Sequence, residues 1–366
     1  MRAVVENIED RAAFKDEWRR IFSKSDALFF LSPPWVETLM ETAAHSAAFK
    51  YIRIFDDLRG VYGAAIVGAQ AGSMNRGAPA RINESGDDEL DRVYLEYNDI
   101  LLANGAADEA RIEAINALIE AMPKTNEFVF RNARPALASA VKAAGAGAGL
   151  TARPLLRQPT YYIDLSSEIM NGYSSSLRYK IRRARRCYEE RGDLRLEIPQ
   201  GEAERDVAWT ELMRLHARTW SGRGKKGVFG SPQFLAFHRR LIERRPSCTD
   251  LLRILAGDQT IGVLYNFVDR ERAYNYQSGF FYEANNQLAP GFVAHTLAAE
   301  YYRARGLKTY DLMGGDADYK RRLGEEGETL ETIVLERTGI RSGIRTGLRN
   351  FLTSARRVRN EGMRRT

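Results

Sequence analysis

The sequence has 366 residues, 44% of them hydrophobic and 28% charged, and a formal net charge of +7. That is room for two cores and the composition of a soluble globular protein. No apolar run is long enough to cross a membrane, and the opening stretch MRAVVENIEDRAAFKDEW has acidic residues where a signal peptide would be apolar. Two cysteines, Cys187 and Cys248, give neither a disulfide framework nor a metal-ligand spacing, so a cytoplasmic protein without a metal site is expected.

The charge is unevenly placed. Residues 340–366 hold eight arginines and one glutamate, which accounts for the whole +7, and the preceding 339 residues carry 47 basic and 47 acidic side chains. A neutral body lacks the broad basic surface that binding to a DNA backbone needs, so no DNA partner is expected.

In chain order, the first clear pattern is YIRIFDDLRGVYGAAIVGA (51–69), two apolar runs around a turn, read as strand, turn, strand. YNDILLA (97–103) reads as a third strand, ADEARIEAINALIEAM as a helix and EFVFRNA as a fourth strand. Gly and Ala replace patterned residues in AAGAGAGLTARP (143–154), which marks a joint near Leu150. TYYIDL (160–165) is then a strand. SSLRYKIRRARRCYEERG (175–192) reads as a helix with Leu177, Ile181, Ala184 and Tyr188 on one face and arginines around that stripe. After the strand LRLEIP and helices around WTELMRLHARTW and PQFLAFHRRLIERR, the earlier order returns. LLRILAGDQTIGVLYNFV (251–268) and YNYQSGF (274–280) precede the helix GFVAHTLAAEYYRARG and the strand KTYDLMG. The succession strand, strand, strand, helix, strand therefore occurs twice. Antiparallel strands feeding a helical crossover predict a mixed α/β sheet. The expected organisation is a domain over 1–150, a second over 151–339, and a tail over 340–366. In the tail, Ile340, Ile344, Leu348 and Leu352 at helical spacing among arginines suit docking on the body, on an anionic membrane face or on RNA.

The second half, through SLRYKIRRARR, LMRLHARTW, IGVLYNF, YNYQSGF, LAPGFVAHTLAAEYYRARGLKTYDLMGG and DYKRRLG, resembles the GNAT acyltransferase superfamily. Within it the chain is most similar to the cellulose-biosynthesis-type (CelD/BcsL-like) branch, whose opening segment FLSPPWVETLM (30–40) resembles. Paired GNAT domains also resemble the Fem-type aminoacyltransferases. The resemblance implies an α/β (α+β) fold of two tandem GNAT-like domains, each a mixed, mostly antiparallel sheet flanked by helices, the first domain degenerate. It also implies transfer of an acyl group from acyl-CoA or an acyl-carrier protein to an amine of a sugar, a cell-envelope precursor or a small metabolite. A Fem-type reading substitutes aminoacyl-tRNA as donor. A third reading is a non-catalytic protein that binds nucleic acid or a membrane through its basic segments.

The segment YDLMGGDADYKRRLG (310–324) is the most site-like in the sequence. Asp311 ends an apolar strand, two glycines let the backbone approach a ligand, and Tyr319, Lys320, Arg321 and Arg322 follow. The resemblance implies that Lys320 binds phosphate or carboxylate or stabilises negative charge in transfer, with Tyr319 at the substrate. His216 and Trp220 lie four apart on one helix face, so His216 is a candidate proton acceptor for the amine, with Asp311 the competing base. Tyr274 and Tyr276 share one face of a strand and Gln277 the other; a tyrosine hydroxyl, Tyr276 in the first place, can protonate a leaving thiolate. NNQLAPGFVAHTL stands where the family has a glycine-rich phosphate loop: Gln287, Pro290, Gly291 and Phe292 are the candidate donor-binding residues, though the second glycine is missing and Pro290-Gly291 equally starts a helix. Arg178 and Arg182 are the expected phosphate contacts of the basic helix, which equally reads as a solvated, ion-paired face.

Overall fold

The computed structural model describes residues 1–43, 47–58, 60–70, 78–221 and 227–337, without the side chains of Ala47, Gln70, Trp220 and Ser221. The tail expected over 340–366 lies outside the described residues. The chain divides into two compact units: unit 1 takes Met1–Gln158, Ser231–Leu241 and the chain from Glu328, and unit 2 takes Pro159–Gly230 and Ile242–Gly327.

Unit 1 opens with β1 (Arg2–Asn7), α1 (Arg11–Ser23) and α2 (Pro33–Thr42). It continues through β2 (Ala47–Asp56), β3 (Gly60–Gln70), β4 (Ala80–Ile82), β5 (Leu101–Leu102), α3 (Glu109–Ala121), β6 (Glu127–Ala133) and α4 (Pro135–Gly147). Local signals account for the helix starts: Asp10 accepts the N–H groups of Ala12 and Ala13 ahead of α1, and Ser32 caps α2 with Pro33 in the first helical position. The third strand is not YNDILLA. Tyr97 has φ +52°, which turns the chain; Asn98 makes a single bridge to Ala133, and Leu101–Leu102 pairs with β3. The third strand is Ala80–Ile82, three residues among glycines and a proline. The expected joint is also filled by regular structure. The alanine-rich stretch continues α4 to Gly147, as its helix propensity allows, and β7 (Leu150–Asp164) runs straight through Leu150 and Pro154 into unit 2.

Unit 2 holds α5 (Ser175–Glu189), β8 (Leu194–Glu197), α6 (Gly201–Ser221), β9 (Thr249–Ala256), β10 (Gln259–Asp269), β11 (Arg272–Phe280), α8 (Pro290–Ala304), β12 (Thr309–Gly314) and α9 (Asp318–Leu323). α7 (Pro232–Arg244) interrupts this order, and most of it joins unit 1. There it seats Phe237 against Trp35 at 4.8 Å and Arg240 on Glu41. The last strand is β13 (Glu325–Arg337).

The repeat is complete at the level of topology. Unit 1 runs β1-β2-β3-β4-β6-β13 and unit 2 runs β8-β9-β10-β11-β12-β7. In each, three antiparallel pairs lead to one parallel pair, β4 with β6 or β11 with β12, and then to an antiparallel outer strand. Each outer strand comes from elsewhere in the chain: β13 follows unit 2 in sequence yet pairs with β6, and β7 follows β6 yet pairs with β12. Two tandem mixed α/β units with the same strand order are the result.

In unit 2 the core lies between the sheet and α5 and α8. The predicted stripe of Leu177, Ile181, Ala184 and Tyr188 is fully buried there, with Leu264, Ala273, Val293, Tyr302 and Tyr310. α6 covers the opposite face. It comes so close at Gly279 that an added Cβ would stand 2.9 Å from the Leu212 carbonyl oxygen and from Leu215 Cβ. Gly279→Ala is expected to cost about 1–3 kcal/mol, read as a lower urea midpoint with the slope unchanged. An unshifted midpoint would show that α6 has room at this point.

Candidate functional site

β11 and β12 run parallel but pair at three positions only: Arg272 with Thr309, Ala273 with Tyr310, Tyr274 with Asp311. Beyond that point both strands bulge. On β11, Asn275 faces Asn266 while Gln277 faces Tyr265, which leaves Tyr276 as the extra residue. On β12, Asp311 faces Tyr162 while Met313 faces Tyr161, which leaves Leu312 extra. A bulge bends its strand, and two at one level, on neighbouring strands, open a slot between them. The bulge also corrects the expected alternation. Directly opposed residues share a face, and Tyr276 packs 6.0 Å from Tyr265, so Tyr276 and Gln277 follow the same face, that of α6. Tyr276 is buried between Tyr265 and Phe267.

α8 begins beside this slot. Pro290 fills its first position, and Gly291 keeps the Phe280 ring in contact, since a Cβ there would sit 3.4 Å from it. Two cations lie over the Phe292 ring, Lys180 Nζ at 4.8 Å and the Arg322 guanidinium at 5.1 Å. The Lys180 ammonium is held below its usual range, first by burial and then by the like charges of Arg322 and Arg183. Cations converging on the positive end of a helix form a ready site for an anion. Of the two arginines expected here, Arg178 donates to the Tyr173 carbonyl and Arg182 is exposed. α5 meets α8 through Lys180 and through Arg185, which pairs with Glu300 at 2.8 Å. Gln287 lies exposed in the preceding turn, where its side-chain carbonyl accepts from the Cys187 thiol at 3.5 Å.

The far side of the slot is built by β12 and α9. Asp311 is fully buried; its Oδ2 accepts from Arg272 at 2.9 Å and its Oδ1 from the Met313 N–H at 2.7 Å. Met313 is left-handed, φ +64°. Lys320, 7% exposed, donates to two successive carbonyls, Met313 at 3.2 Å and Gly314 at 2.8 Å. Tyr319 stacks on His295 with ring centroids 5.5 Å apart and planes 12° from parallel, and His295 Nδ1 pairs with the Tyr310 hydroxyl at 3.1 Å. Burial, and then the charge of Lys320, push His295 down to about 3.

His216 stands on α6, buried edge-on against Phe229 at 4.7 Å, and burial alone pushes it down to about 4. The side chain of Trp220 lies outside the described residues. The structure therefore gathers Asp311, Tyr319, Lys320 and Pro290–Phe292 around one slot, with His216 and Tyr276 on the α6 side of the sheet. Lys180, Arg272 and His295 join them and were not singled out for the site from the sequence. The position of Lys180 beside the apolar stripe was the available signal. Among the described residues no group of three or more His, Cys, Asp or Glu is placed to hold a metal ion, and no helix is long and apolar enough to cross a membrane.

The corresponding gap in unit 1 is closed. β4 and β6 pair only at Ala80–Phe128 and Arg81–Val129. Asn98 then bridges the two strands: its side-chain amide donates to the Ile82 carbonyl at 3.1 Å, its N–H to the Asn132 carbonyl at 3.0 Å, and its own carbonyl accepts from the Arg134 N–H at 2.9 Å.

Residues 175–321, from the start of α5 to α9, match the family model described as acetyltransferase (GNAT) domain. No curated protein matches the sequence. Among solved structures, the chain is similar to the C-terminal domain of a putative lysylphosphatidylglycerol synthetase from Agrobacterium fabrum, at 12% identity over 97% of this chain and 99% of that one, with a TM-score of 0.55. It is also similar to a conserved protein of unknown function from Bacteroides thetaiotaomicron, at 9% identity over 90% and 98% of the two chains (TM-score 0.59). A third is L-PGS from Bacillus licheniformis, at 10% identity over 97% and 98% (TM-score 0.53). These likenesses concern the fold, and they extend over nearly the whole length of all three. The stretch that builds the slot, residues 175–321, is the one that matches the GNAT acetyltransferase domain, and the protein is an N-acyltransferase.

Proposed function

We propose that unit 2 transfers an acyl group from an acyl-CoA, or from the same thioester arm on an acyl-carrier protein, to an amine of a sugar, a cell-envelope precursor or a small metabolite. The observation that carries this reading is the slot between β11 and β12, with Lys180 and Arg322 at the start of α8 on one side and Lys320 on the other. A thioester arm lying in the slot would set its phosphates on the cations and its carbonyl near the backbone of β11 beyond its last pair with β12. The amine attacks the carbonyl carbon, the oxyanion gathers donors, and the thiolate leaves as the amine proton is lost. Lys320 is the charged group for that oxyanion or for a substrate phosphate, Tyr319 a substrate contact, Tyr276 a proton donor to the thiolate, and His216 the proton acceptor. Gln287, Pro290, Gly291 and Phe292 hold the donor. Membership of the cellulose-biosynthesis-type branch, with a role in polysaccharide biosynthesis, completes the proposal.

A second donor is favoured by one departure: Pro290-Gly291 replaces a glycine-rich loop, and several cations take over its work. That suits the phosphates of an aminoacyl-tRNA, as does the fold shared with a domain of a lysylphosphatidylglycerol synthetase. Unit 1, its gap closed by Asn98, serves in this proposal as a degenerate platform for the acceptor, in the cytoplasm. The tail over 340–366 would then touch an anionic membrane face at its periphery.

A melting screen against CoA thioesters of increasing chain length tests the donor. Stabilisation by at least one is expected, with Lys180→Ala and Arg322→Ala each weakening its binding about tenfold, near 1.4 kcal/mol. No shift with any thioester, together with RNA that copurifies with the protein, would turn the reading to aminoacyl-tRNA.

A further inference from the structure

In an extended strand successive carbonyls point to opposite sides, so two neighbours cannot both reach one ammonium. Met313 and Gly314 nevertheless both accept from Lys320 Nζ, at 3.2 and 2.8 Å. The chain between those carbonyls, at Gly314, is therefore not extended, and Met313 before it is left-handed, φ +64°, which turns the peptide that carries the Met313 carbonyl; a residue with a long side chain adopts that conformation only when its surroundings impose it. The imposing group is at hand. Asp311 Oδ1 accepts the Met313 N–H at 2.7 Å across the bulged Leu312, and its other oxygen is locked by Arg272, which reaches over from β11 at 2.9 Å.

We infer that Asp311 is a positioning residue: clamped by Arg272, it holds Met313 in its left-handed turn, and that turn aims the Met313 carbonyl at the Lys320 ammonium and fixes it at the open end of the slot. The site would thus be set by a relay running from Arg272 through Asp311 and the Met313 turn to Lys320. It passes through Asp311 at the last level where β11 and β12 still pair and ends where they have parted. Asp311 is accordingly not the proton acceptor of the transfer. Its two oxygens serve the fold of β12, and its contribution to the reaction passes through the place of the Lys320 charge.

The use of that charge rests on the acyl-transfer reading above, but the relay can be tested without donor or acceptor, so the two can fail separately. A hydrogen-bonded, buried ammonium gives its own nitrogen-15 proton resonance in cold, mildly acidic solution; that of Lys320 is the one absent from Lys320→Met. Asp311→Ala is expected to lose the resonance. Asp311→Asn is expected to keep it, since the carboxamide oxygen still accepts from Met313, and it also serves if the alanine variant does not fold. Adding Met313→Gly to Asp311→Ala is expected to restore the signal, because glycine takes the left-handed turn without help. A signal that survives Asp311→Ala in the folded protein, one lost in folded Asp311→Asn, or a folded double variant that stays silent would each overturn the relay, as would a wild-type spectrum with no Lys320 resonance.

Discussion

Lys320→Met is expected to lower turnover by about 10²–10³-fold, the range found when a preorganised donor to a developing oxyanion is removed. The side chain is buried and bonded to two carbonyls, so its loss also leaves Met313 and Gly314 without that donor, at a cost of about 1–3 kcal/mol. That is less than the stability of an ordinary domain, so far-ultraviolet circular dichroism should still report the folded protein. Initial rates with the tightest-binding thioester separate the two effects. A turnover equal to wild type in folded Lys320→Met would remove the residue from the chemistry and leave it a cap on the end of β12.

The second large effect is a loss of stability in mild acid. His216 and His295 are held neutral by burial, at about 4 and about 3, and burial drives His238 well below its usual value too. Each is a base whose folded value lies below its unfolded value near 6.5. Between these limits the unfolded chain binds the proton and the folded one does not, so stability falls as pH drops through 6.5 and goes on falling towards 4. At pH 5 the penalty is about 2 kcal/mol each for His216 and His295, together a large share of a typical 5–15 kcal/mol. Urea titrations at pH 7 and pH 5 check it: the midpoint should drop clearly, and His295→Gln should flatten the dependence. Equal midpoints at both values would mean that these rings can take a proton in place.

How far the site could be read in advance depended on how local its causes are. α8, β12 and the turn at Pro290 follow from patterns within a dozen residues, whereas Lys320 and Tyr319 stood out through the family resemblance and the short helix α9 was not read at all. The bulges at Tyr276 and Leu312 left no such trace, because a bulge is a property of two strands in register; without it Gln277 was assigned to the wrong face and Asp311 looked like a free carboxylate. The helix stripe of α5 was legible to the residue, yet periodicity does not say which flank meets α8. Arg178 and Arg182 were therefore singled out where Lys180 and Arg185 meet the neighbouring helix. β4 was missed for a simpler reason: three residues, ARI, are too few to show alternation.

The exchange of outer strands has a consequence for the order in which the protein can come into being. β6 is complete by Ala133, but its outer partner is β13, and the Asn132 N–H bonds Thr332, 200 residues further along the chain. As the polypeptide leaves the ribosome, unit 1 must wait with the edge of its sheet unpaired, apolar and open to other strands. No single cut can release two self-sufficient halves, since any cut between the units leaves β13 and α7 with unit 2 and takes them from unit 1. The unit that is made first is the one finished last.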